Sequence, residues 1–75
     1  MKIEYLVKMA NEVGAFFASE SAPGQAATAV AGHLRRFWEP RMRAQIIAHM
    51  ATGGAGLSDL AREAVAKLAA ETPRT

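Results

Sequence analysis

Two histidines, several acids, a run of arginines and one glycine-rich turn are the features of this chain that could carry chemistry, and the sequence contains no cysteine. That absence removes disulfides, thiolate metal sites and cysteine nucleophiles together. His33 and His49 stand on different predicted helices with no carboxylate at metal-ligand spacing. They read as histidines at the edge of a core rather than as a metal site. No Ser-His-Asp arrangement with a recognisable nucleophile elbow is present, so nucleophilic catalysis has no support. Gly53-Gly54-Ala55-Gly56 lacks the Lys-Ser/Thr pair of a phosphate-binding loop. It also follows a helical pattern instead of a strand, and reads as a helix stop.

The densest group is His33-Leu34-Arg35-Arg36-Phe37-Trp38-Glu39-Pro40-Arg41-Met42-Arg43. It holds the single Trp and four arginines against one Glu. Three readings compete for it. A solvated cationic face is the plain one. Phosphate contact is the second, since two short helices around Trp38-Glu39-Pro40 imitate a helix-turn-helix. That turn, however, holds Pro where Gly is usual, the flanking helices are not basic, and the net charge is only +2. A protein partner is the third, because Trp, Phe, Met and Arg together are the composition of interface hot spots. The residues by themselves point to a small partner-binding module and to no reaction.

The elements that must position these residues are helices. Over about 2–19, Leu6, Met9, Ala10, Val13, Phe16 and Phe17 recur at helical spacing. The apolar arc covers nearly half the circumference, wider than a two-helix seam requires. Glu4, Lys8, Asn11 and Glu12 lie opposite. Ser21 is the predicted N-cap and Pro23 the first-turn residue of a second helix, about 23–38. Its apolar stripe includes Ala27, Val30, Ala31, Leu34, Phe37 and Trp38, with Gln25, Ala29, Gly32 and Arg36 on the far face. Gly32 costs such a helix about 1 kcal/mol relative to Ala, so it marks either drift or a close approach of another backbone. Pro40 separates this helix from a third, about 40–51. Met42, Ile46, Ile47 and Met50 make its apolar side, and Arg43 falls among them, an anomaly for a cation. Ser58 and Asp59 then open a fourth helix, about 59–70, which buries Leu60, Ala61, Ala64, Val65 and Leu68.

The expected fold is therefore all-α, a small bundle of four short helices forming one domain over 1–75, with 71–75 a frayed tail. Its core is expected to be built on Leu6, Val13, Phe17, Leu34, Phe37, Met42, Ile46, Leu60 and Leu68. At 75 residues such a chain is stable by a narrow margin and gains from good helix packing or a partner. No apolar run approaches the ~20 residues of a membrane span. Met1-Lys2-Ile3-Glu4 has an acid where a signal peptide has an apolar run.

Leu6-Val7-Lys8-Met9-Ala10-Asn11-Glu12-Val13, then the central run His33 to Ile46, then Gly53-Gly54-Ala55-Gly56-Leu57-Ser58 occur in one order. In them the chain resembles the delta subunit of the NAD-dependent, molybdenum-containing formate dehydrogenases, over roughly residues 5–68. The central run is the specific part. The resemblance implies a non-catalytic accessory subunit of a soluble cytoplasmic complex that oxidises formate to carbon dioxide and reduces NAD. It implies an alpha subunit holding a bis-pterin molybdenum cofactor and iron–sulfur clusters, a beta subunit carrying FMN, and a gamma subunit with a further cluster. No cofactor is expected in this chain, which has no Cys for a cluster and no flavin or nucleotide motif. The delta subunit is expected to bind and stabilise alpha, supporting its assembly or cofactor loading. On that reading Arg36, Arg41 and Arg43 meet carboxylates or carbonyls of alpha, and Gly32 lets a partner element approach. Trp38 and Pro40 complete the corner that presents them. A transient maturation chaperone of the same enzyme and a small basic nucleic-acid binder are the alternatives.

Overall fold

Pro40 and the glycines divide the chain into α1 (Ile3–Glu20), α2 (Ala26–Phe37), α3 (Pro40–Ala51) and α4 (Asp59–Glu71). This is a computed structural model, and it describes residues 2–22 and 24–71. Three of the four helices fall within a residue or so of their predicted bounds. The second begins three residues late. Gly24 takes φ 85°, a left-handed conformation that suits Gly and cannot continue a helix. The chain becomes helical only after Gln25. Ser21 was expected to cap α2, but its N–H donates to the Phe17 carbonyl at 2.9 Å and closes α1. Pro23 lies outside the described residues, as do residues 72–75 of the expected tail.

The remaining boundaries follow their local chemistry. Glu39, before the proline, is extended at φ −67° and ψ 153°, and Pro40 takes the first position of α3. α3 ends in a Schellman motif. The Gly53 N–H donates to the Met50 carbonyl at 3.1 Å and the Gly54 N–H to the His49 carbonyl at 2.9 Å. Gly53 accommodates the φ of 119° which that turn requires. At α4 the expected cap is present: the Ala61 N–H donates to Ser58 Oγ at 3.1 Å.

One hydrophobic core joins the four helices. Its largest fully buried side chains are Leu6, Leu34, Ile46, Leu68, Val30 and Val65, each stabilising by roughly 1.5–3 kcal/mol. α2 packs chiefly on α4 and then on α1. Ala27, Ala31, Ala61 and Ala64 are all buried, and these small side chains let helix surfaces approach closely. Val13, Phe17 and Met42 are half-buried against the core, and Leu60 is half-buried beside Gly14. Phe37 corrects the expected core: it is 70% exposed, whereas its neighbour Trp38 is 5% exposed. The helix ends between them. Trp38 leaves the helical conformation at φ −85° and ψ 141° and lies in the core. Phe37, the last helical residue, stays on the face of His33, one turn before it. Among the described residues there is no strand, and no helix is long and apolar enough to cross a membrane.

Candidate partner-binding surface

The arginine run divides into cations used by the fold and cations left at the surface. Arg43 sits half-buried in α3, the predicted anomaly on an apolar face. Its guanidinium turns back to the end of α2, where Nη1 donates to the Trp38 carbonyl and, at 3.2 Å, to the Arg35 carbonyl. Carbonyls at a helix C-terminus have no partner within the helix, and a cation there also complements the helix dipole. Arg43 was expected to reach such groups on a partner; it finds them on its own chain. Arg35 is spent as well, in an ion pair with Glu71 that ties α2 to the end of α4. Glu71 is thus an ordered helical residue rather than the start of a frayed tail. Arg36 and Arg41 are exposed, and neither forms an ion pair among the described residues. Pro40 is exposed at the corner, while Trp38, expected at the partner surface, is buried beneath it.

A row of rings crosses the surface between α1 and α2. Phe16 and Phe17 meet edge to face with centroids 5.1 Å apart. Phe17 meets His33 at 5.9 Å, and His33 meets Phe37 at 4.8 Å. These separations fall in the range of favourable aromatic pairs. Phe16 is 59% exposed, so both ends of the row face outward. A cleft of about 400 Å³ opens beside it, lined by Phe17, Gly32, His33, Arg36 and Phe37 among others. A second hollow of about 250 Å³ lies between Glu12, Val13, Phe16, Phe17 and His33. Gly32, Arg36 and Ala29, which helical phasing placed opposite the core stripe, all line the larger cleft. The spacing of His33 and Phe37, one turn apart on a helix, was the available sign of this row; assigning Phe37 to the core hid it.

A second polar element was missed altogether. Asn11, placed on the solvent face of α1, is half-buried and clamps the α3–α4 turn. Its Nδ2 donates to the Gly56 carbonyl at 2.9 Å, and its Oδ1 accepts the Ser58 N–H at 2.9 Å. His49 Nε2 donates to the Ala55 carbonyl at 2.8 Å in the same turn. Both contacts are structural. They leave the two histidines on different parts of the surface, and among the described residues no group of three or more His, Asp or Glu could hold a metal ion.

The molecule so described is a small four-helix module whose most distinctive surface is an aromatic cleft with an arginine on its rim. The model of the NADH-dependent formate dehydrogenase delta subunit, FdsD, matches residues 5–65, and the chain belongs to that family. No curated protein and no solved structure matches it.

Proposed function

We propose that this chain is a non-catalytic accessory subunit that binds and stabilises the molybdenum-containing alpha subunit of a soluble, cytoplasmic NAD-dependent formate dehydrogenase. It supports assembly of alpha or loading of its cofactor. The carrying observation is the family match across residues 5–65, most of the chain. Formate oxidation and NAD reduction belong, on this reading, to other subunits. The molybdenum cofactor and iron–sulfur clusters sit in alpha, FMN in beta and a further cluster in gamma. The residues of this chain agree with that division. It has no Cys to ligate a cluster. A phosphate-binding stripe is disfavoured, because two of the four clustered arginines are already engaged within the fold.

The test is co-expression of alpha, beta and gamma with and without this chain. Without it, the expected outcome is a lower yield of alpha, a lower molybdenum content per alpha and a matching loss of formate-dependent NAD reduction. Full yield, loading and activity in its absence would overturn the proposal. Binding of the chain to DNA or RNA that falls steeply with salt would favour the nucleic-acid alternative.

A further inference from the structure

The cleft lies along α2, with Phe17 as its one wall from α1. A Cβ built at Gly32 would meet only Arg35 Nη2, at 3.8 Å. A Cβ therefore fits there, with the Arg35 side chain, which also lines the cleft, as its one neighbour, although Gly costs a helix stability that Ala would restore. Along α2 the cleft runs from Ala29 to Phe37, about 12 Å at 1.5 Å per residue. That length matches about two turns of a second helix. Its rim is polar in one sense only. Arg36 stands at the α2 side, exposed and without an ion pair among the described residues, while its neighbour Arg35 is held by Glu71. The single acid, Glu12, lines the hollow on the far side of Phe17 and His33.

We propose that this cleft docks a short amphipathic helix of a heterologous protein partner. The helix inserts one bulky apolar side chain over Gly32, against Phe17, His33 and Phe37. It sets a carboxylate, about one turn away, on the Arg36 guanidinium. The proposal rests on the accessory-subunit reading and adds the docking site and the chemistry of its occupant. Each part answers a feature of the surface. A hollow calls for a knob, and a second copy of this chain would bring hollow against hollow. A groove between two helices receives the side-chain ridge of a third, and no strand edge is present among the described residues to take an extended segment. An unpaired guanidinium is a planar, multiple donor best matched by a carboxylate. Aromatic rings around an arginine are the composition that dominates binding energy at interfaces.

The experiment uses the full chain and purified formate dehydrogenase alpha subunit as the probe. Gly32→Leu fills the hollow where the fold leaves room for it, Arg36→Glu reverses the rim charge, and Phe37→Ser removes an exposed ring. All three are expected to stay folded by helical circular dichroism, with Gly32→Leu melting at or above the unaltered chain because a helical glycine is removed. Each is expected to weaken association at least about ten-fold. Lys67→Glu, exposed on α4, leaves association unchanged. Folded variants that bind alpha as tightly as the unaltered chain would overturn the cleft assignment and leave the accessory reading standing. Failure of the unaltered chain itself to bind alpha would sink both. Sedimentation showing a dimer that Gly32→Leu converts to monomer would assign the cleft to a second copy and overturn the heterologous occupant. Should Gly32→Leu fail to fold, Arg36→Glu and Phe37→Ser, both surface changes, decide the question in the same way.

Discussion

Replacing Arg43 by Ala separates a cation that holds the fold together from one that serves a partner. In the structure its guanidinium donates to the carbonyls of Arg35 and Trp38 at the end of α2. Each hydrogen bond of this kind contributes about 1 kcal/mol net, and more when the donor is charged. Arg43 is only half-buried, so water replaces part of what is lost and the lower figure applies to each bond. The cation at the helix C-terminus adds about 0.5 kcal/mol. Arg43→Ala should therefore destabilise the chain by about 2–2.5 kcal/mol. For a domain of this size each kcal/mol moves Tm by about 4–8 °C, so a fall of roughly 10–15 °C is expected. Thermal melting followed by circular dichroism reads it directly. Arg43→Lys retains the charge on a compact, more strongly hydrated ammonium and should recover about half of the loss. Arg41→Ala, an exposed neighbour, should change stability by less than about 0.5 kcal/mol. If Arg43→Ala melts like the unaltered chain and yet loses association with alpha, the capping role is refuted and Arg43 is a partner contact.

Three further outcomes follow from the same contacts. Asn11→Ala removes both bonds that fasten the α3–α4 turn and should cost about 1–3 kcal/mol; hydrogen exchange should quicken selectively over residues 53–58. Trp38→Ala opens a cavity at the α2–α3 corner and should cost about 3–5 kcal/mol, enough to leave a domain this small largely unfolded in denaturant titration. Gly32→Ala should raise stability by about 1 kcal/mol in a thermal melt, because the added methyl meets nothing closer than Arg35 Nη2 at 3.8 Å.

The parts of the fold written in short spacing were legible in the sequence. Apolar periodicity, Pro40 and the Ser58 cap act over one or two turns, and α1, α3 and α4 lie close to where those signals put them. Phe37 and Trp38 show where such reading stops. They are adjacent, and continuing the helix through both places each on the apolar stripe. Which one enters the core depends on the residue at which the helix lets go. The chain turns extended at Trp38, so Trp38 enters the core and Phe37 joins His33 on the surface. Arg43 and Asn11 were obscure for a different reason. Arg43 looked anomalous because its partners are backbone carbonyls, which leave no mark in side-chain composition. Asn11 finds its partners at Gly56 and Ser58, separated from it by two intervening helices, and no local pattern announces that pairing. The cleft was half visible: Gly32 was recognised as a place for close approach, but its surrounding rings emerge only when α1 and α2 are set side by side.

Native mass spectrometry of the purified complex shows whether this chain is a permanent member of the enzyme. Enzyme isolated through its large subunit, and active in formate-dependent NAD reduction, should contain this chain at one copy per alpha subunit. An active, molybdenum-loaded complex lacking the chain, with the chain found only on cofactor-free alpha, would overturn permanent membership and make the chain a transient chaperone.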